Sequence, residues 1–85
     1  MYRLGITFII AMAVMSLNAQ DSLRRSQIDS LTYQQYLNKD YKNLIETSKE
    51  AHEQNIDFYY LNYRTAIAYY ELKNYAKAAE FYKKT

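Results

Sequence analysis

The sequence predicts an all-α chain: four helices in two antiparallel hairpins, preceded by an export segment. Three observations carry the prediction. Between Gln20 and Thr85 there is no Gly, no Pro and no Val, and the stretch is rich in Ala, Leu, Lys, Glu and Gln, whose side chains lose little rotamer freedom in a helix. Apolar and small residues recur at helical spacing: Tyr41, Leu44, Ile45, Ser48 and Ala51 form one stripe, and Tyr75, Ala78, Ala79 and Tyr82 another. The chain also matches itself at an offset of 34 residues. Tyr36 falls on Tyr70, Lys39 on Lys73, Tyr41 on Tyr75, Glu46 on Glu80 and Lys49 on Lys83, five identities in fifteen successive pairs.

The first element is the export segment. Met1-Tyr2-Arg3 supplies one basic side chain, Leu4 to Leu17 is apolar apart from Gly5, Thr7 and Ser16, and Asn18-Ala19-Gln20 offers small Ala19 for cleavage. That order is the layout of a secretory signal peptide. Fourteen residues rise only ~21 Å as a helix, short of a ~30 Å hydrocarbon core, so a cleaved signal fits better than a spanning anchor. Leu17 departs from the small residue usual two positions before the cleavage residue. Endings in Asn-Ala-Gln resemble Bacteroidota signal peptides. The expected division is 1–19 signal peptide, 20–56 first helical repeat and 57–85 second repeat, incomplete at its C-terminal end.

Within the first repeat, a helix is expected over Leu23–Leu37, carrying Ile28, Leu31, Tyr33 and Tyr36. Asn38-Lys39-Asp40 turns the chain, and Asp40 is a candidate N-cap for the helix that begins at Tyr41. The His52 to Ile56 segment connects to the second repeat. There Asp57 is a candidate cap for a helix over Phe58–Leu72, which is apolar nearly all round and so must be sandwiched between neighbours. Lys73-Asn74 leads into the last helix, with Asn74 as its cap. Short connections make adjacent helices antiparallel.

Composition narrows function. With no Cys, disulfides, thiolate metal sites and lipidation are excluded. The formal charge of +2 falls to +1 once Arg3 is removed, ten basic residues against nine acidic, which is not the clustered basic face of a nucleic-acid binder. Near neutrality and the lack of a basic polar face also count against a membrane-active helix. His52 is the only histidine; late in its helix beside Glu50 and Glu53, it reads as a solvated residue favoured by the helix dipole. No second His or Cys could complete a zinc site. Ser22, Ser26, Ser30 and Ser48 have no base at recognisable spacing, and no Gly-rich phosphate loop is possible. Glu46 with Lys49 and Glu80 with Lys83 or Lys84 read as solvated helix pairs. No catalytic residue, metal or cofactor is expected, and the protein reads as no enzyme and no small-molecule binder. A folding unit of about sixty residues buries only ~60% of its unfolded surface, so its core is marginal.

A 34-residue helix-turn-helix period is that of the tetratricopeptide repeat. The stretch from Ala68 to Tyr82, Ala-Tyr-Tyr-Glu-Leu-Lys-Asn-Tyr-Ala-Lys-Ala-Ala-Glu-Phe-Tyr, resembles that family from the end of its first helix through its second. By this resemblance Ala66 and Ala78 take the small positions where helices approach closely, and Tyr69, Tyr75 and Tyr82 the large packing positions. The first unit resembles the family more loosely, through Ile28, Leu31 and Thr32, then Tyr41, Leu44 and Ala51. Asn62 departs from the pattern where a large aromatic is usual, Thr65 where Leu is, and Gln35 where a packing Tyr is. Lys39 and Lys73 stand where the family has Gly, and Ile56 where it has Pro.

The resemblance implies an α-solenoid whose first helices line a concave groove. Carried over by position, the peptide-binding groove would show Tyr33 and Tyr36 from the first unit, with Ser26, Asp29 and Leu37 beside them, and Tyr60, Tyr63, Ile67 and Tyr70 from the second, with Glu71. Eleven Tyr in the chain suit such a face, because Tyr gives contact area at low entropy cost. The expected function is a non-enzymatic protein or peptide interaction module of an exported cell-envelope protein, in the periplasm, at the outer membrane or secreted, its ligand a peptide with apolar or basic side chains. The alternative is the N-terminal periplasmic repeat segment of a larger membrane-anchored or outer-membrane protein, acting as a scaffold. Solenoid units contact only their neighbours and usually number about three or more. A homodimer, or further repeats beyond Thr85, is therefore expected to cover the second unit.

Overall fold

The computed structural model describes residues 24–85, and all regular structure among them is helical. The expected signal peptide, 1–19, lies outside the described residues. Helix α1 covers 24–37 of the described residues, α2 Tyr41–Glu53, α3 Tyr59–Glu71 and α4 Tyr75–Tyr82.

Contacts between the helices fix their directions. Gln35 Nε2 donates to Thr47 Oγ1 at 3.1 Å and Arg24 Nη1 to Gln54 Oε1 at 2.9 Å, so α1 and α2 run antiparallel. Thr65 pairs with Ser48 and Asn62 with His52, which makes α2 and α3 antiparallel; Tyr63 with Tyr82 and Tyr70 with Tyr75 do the same for α3 and α4. Arg64 reaches Asp29, 35 residues back, so α1 and α3 lie side by side in the same direction. The arrangement is two helical hairpins, with α3 against α2 on one side and α4 on the other.

Helix α3 is the central element, against α2 and α4, but it is not enclosed all round as its apolar pattern suggested: Tyr59, Tyr60, Tyr63 and Tyr70 stay exposed. Leu44, Ile45 and Ala68 form one core cluster, with Tyr36, Tyr41 and Tyr69 packed on it. Ala51, Ile56 and Leu61 form the other, with Ile28 and Phe58. Leu44 and Leu61 are fully buried; burying such a side chain is worth roughly 1.5–3 kcal/mol. Ala66 and Ala78, expected at the close approaches, are buried. Gln35 lacks the ring its repeat partner Tyr69 would supply, and its Oε1 is buried without a hydrogen-bond partner.

Three helix ends share one turn. Lys39, Asn55 and Lys73 have φ of 57°, 60° and 65°, the left-handed region. Beside each, a 6→1 and a 5→2 backbone bond close a Schellman motif: Asp40 N to Gln35 O at 2.8 Å with Lys39 N to Tyr36 O at 3.2 Å, Ile56 N to Ala51 O at 2.9 Å with Asn55 N to His52 O at 3.0 Å, and Asn74 N to Tyr69 O at 2.8 Å with Lys73 N to Tyr70 O at 2.9 Å. Ile56 then packs on Ala51, the apolar contact that accompanies this motif. Lysine has a Cβ that opposes a left-handed backbone by roughly 1–2 kcal/mol, and glycine has none. Lys39→Gly and Lys73→Gly are therefore each expected to raise the urea midpoint, by about 1 kcal/mol of stability; a lowered midpoint would contradict the turn geometry.

Helix starts follow the sequence less closely. Asn74 caps α4, its side chain accepting from Lys77 N at 3.3 Å. Asp40 stands at the N-cap of α2 without capping it, because its carboxylate takes Asn43 Nδ2 at 2.9 and 3.1 Å. Asp57 does not cap α3 either: Phe58 stands at that position, extended, and Asp57 accepts from Asn62 Nδ2 at 2.6 Å.

Candidate functional site

Four of the expected groove residues converge. Tyr33 and Tyr36 of α1 and Tyr60 and Tyr63 of α3 line a cavity of about 250 Å³ with Arg64. Two rings come from each of the parallel helices α1 and α3, though they are not repeat-equivalent: one period on from Tyr33 and Tyr36 stand Ile67 and Tyr70. Tyr33 and Tyr60 remain well exposed, so the cavity opens outward.

Arg64 organises the site. Its Nη1 meets Asp29 Oδ1 at 2.6 Å, the Asp29 carbonyl at 3.0 Å and Thr32 Oγ1 at 3.1 Å. Its Cζ lies 5.2 Å from the Tyr33 ring centre and 5.5 Å from that of Tyr60, within the ~6 Å at which a guanidinium is attracted by a ring face. Charge is thus balanced by Asp29 while the rings hold the planar group between them. What remains on offer is aromatic surface with phenol hydroxyls, suited to apolar or basic side chains.

The rings continue along α3. Tyr59 stacks on Tyr63 at 6.2 Å and meets Tyr60 edge-on at 5.1 Å; Tyr63 meets Tyr82 edge-on at 6.4 Å. Ile67 and Tyr70, placed in the groove from sequence, do not line this cavity; Tyr70 leans edge-on against Tyr75 at 5.3 Å. The packing expectation divides. Tyr69 is half-buried on the first core cluster and stacked on Phe81 at 5.6 Å. Tyr75 and Tyr82, in contrast, are 57% and 40% exposed, because no element among the described residues covers that side of α4.

Partial desolvation of a side chain still 40% exposed chiefly raises the Tyr82 hydroxyl above its ordinary 10.0, helped by Tyr63, Tyr70, Glu71 and Tyr36. Tyr41 is raised likewise, by burial first and then by Glu71 and Tyr36. The folded state thus holds these protons more tightly than the unfolded chain. Their contribution to stability is full below pH 10.0 and is lost as pH climbs past the raised folded values. In an alkaline titration followed by phenolate absorbance, Tyr41→Phe and Tyr82→Phe should each remove part of the late-ionising fraction. Removal of only early-ionising signal would refute the assignment.

His52 is not the solvated residue that its neighbours Glu50 and Glu53 suggested. Its Nδ1 is 2.7 Å from the Ser48 carbonyl and its Nε2 3.1 Å from Asn62 Oδ1, while Asp57 stands 3.7 Å away. Because Asn62 donates its Nδ2 to Asp57, its oxygen faces His52. Both ring nitrogens thus lie within hydrogen-bond distance of a neighbouring oxygen. Beneath, Thr65 Oγ1 lies 2.8 Å from Ser48 Oγ and donates to the Leu61 carbonyl at 2.6 Å. This chain of polar contacts ties the first hairpin to the second.

Among the described residues no group of three or more His, Asp or Glu side chains could hold a metal ion, and no helix is long and apolar enough to cross a membrane. Comparisons with protein-family models, curated proteins and solved structures found no match to this chain.

Proposed function

We propose that this protein is a non-enzymatic interaction module built on two tetratricopeptide-like hairpins, exported to the cell envelope, that binds a peptide or protein segment in the tyrosine cavity between α1 and α3. The observation that carries this reading is the convergence of Tyr33, Tyr36, Tyr60 and Tyr63 around Arg64. Equivalent helices of successive hairpins supply these rings. Support for the repeat comes from two matched Schellman turns, at Lys39 and Lys73, that stand one repeat apart, and from the parallel placement of α1 and α3.

Peptide display against the purified full-length protein tests the proposal. Enriched sequences should carry apolar or basic side chains and lose most of their binding to Tyr33→Ala and Tyr60→Ala, exposed positions where truncation removes contact area and little core. Failure to enrich any peptide with apolar or basic side chains, or such binders indifferent to both substitutions, would refute it.

A second reading, a scaffold segment continued by further repeats in a larger envelope protein, is favoured by the open side of α4. Ser48 is buried at 1% exposure beneath α3, whereas its repeat partner Tyr82 is 40% exposed. In-frame coding sequence past codon 85 with more units of this period would favour this reading; a stop codon there with a purifiable dimer would favour the first.

A further inference from the structure

A second concavity lies on the opposite side of α3, between α2 and α4, with a volume of about 440 Å³. Its floor is apolar: Ile45, Tyr69 and Phe81. Phe81 is held in place by Tyr69, stacked at 5.6 Å, and by the His52 ring at 5.8 Å. Its polar atoms nearest the floor, on Ser48, Thr65 and His52, are already bonded to one another or to backbone carbonyls, so they ask nothing of a ligand.

The walls differ from the floor. Lys49 enters from α2 and Lys77 and Lys84 from the α4 side, against the single carboxylate of Glu53. Lys84 Nζ lies 4.6 Å above the Phe81 ring centre. Lys49 meets Glu46 at 3.4 Å and Lys77 meets Glu80 at 3.2 Å, pairs whose members are all more than half exposed. Such exposed pairs are weak, so an arriving carboxylate competes for both lysines at little cost. Both ring nitrogens of His52 are engaged, with Ser48 and Asn62, so it takes no ligand bond.

We infer that this α2–α4 concavity is a second binding site, for an acidic peptide segment that seats one aromatic side chain on Phe81 and Tyr69 and lays flanking carboxylates against Lys49, Lys77 and Lys84. The volume falls within the ~300–1,000 Å³ of pre-formed ligand sites. Aromatic faces and edges pair favourably beyond the area they bury, and ammonium groups from two helices give the flanking carboxylates a fixed register. The inference does not rest on the tyrosine cavity, which is built from other residues on the other side of α3.

The test is fluorescence anisotropy with the full-length protein and a labelled Glu-Glu-Phe-Glu-Glu peptide at low salt. Saturable binding is expected, weakened about tenfold when Ala replaces the peptide's Phe and about tenfold in the Lys77→Glu, Lys84→Glu double variant. It should be unchanged in Tyr33→Ala, which blunts the other cavity. Should charge reversal unfold the protein, Lys77→Gln with Lys84→Gln, checked for native helicity by circular dichroism, carries the same expectation in smaller degree. Absence of saturable binding, equal binding of a Lys-Lys-Phe-Lys-Lys peptide, or indifference to the lysine variants would overturn the inference.

Discussion

Leu61→Ala should abolish most of the folded state. Leu61 is fully buried in the cluster with Ala51 and Ile56, in the first turn of α3, the helix by which the second hairpin packs on the first. Removing a buried Leu side chain costs about 2–5 kcal/mol, the transfer loss plus the cavity left behind. A unit of about sixty residues has a total stability of only ~3–9 kcal/mol at typical per-residue values. Urea unfolding followed by circular dichroism should show the transition shifted to low denaturant or lost. Leu37→Ala, 54% exposed on α1, should stay within about 0.5 kcal/mol of the parent. Equal effects at the two positions would mean that α3 is not the shared core.

Arg64→Met should act on stability and on binding together. The side chain is 13% exposed, that of Asp29 52%. Loss of hydrogen bonds to a charged partner costs about 1.5–3 kcal/mol, and the half-solvated Asp29 places the effect toward the lower end. Its neighbours Tyr33 and Tyr60 lose the planar group between them, so peptide binding in the tyrosine cavity should fall about tenfold or more. A double-mutant cycle with Asp29→Asn should give a coupling energy of 0.5 kcal/mol or more. Additive effects would show that the pair does not hold the cavity walls in place.

Local chemistry explains what was legible in the sequence. The helices followed from spacing and from the absence of Gly and Pro, and the turns from the short connections at Asn38-Lys39-Asp40 and Lys73-Asn74 with their cap candidates Asp40 and Asn74. Tyr33, Tyr36, Tyr60 and Tyr63 were placed on one face because the family resemblance assigns the first helix of each unit to the groove. Arg64 was missed, since one arginine on a helix reads as solvated. A usable signal existed: Asp29 and Arg64 stand 35 residues apart, one more than the repeat, the spacing of a cross-hairpin ion pair. His52 was misread for a similar reason: Ser48 is on its own helix, but Asn62 comes from α3. The polar Asn62 at a position where a large aromatic was expected was the trace of that network. Tyr75 and Tyr82 lie on α4, where helical spacing put a helix, but burial depends on a neighbouring element, which helix periodicity alone does not report.

The most direct test of the groove is its binding footprint by NMR. A display-selected peptide titrated into the isotope-labelled protein should shift resonances of Tyr33, Tyr36, Tyr60, Tyr63 and Arg64, with α2 and α4 largely unmoved. Shifts confined to α2 and α4, with those five residues unperturbed, would contradict a tyrosine groove between α1 and α3.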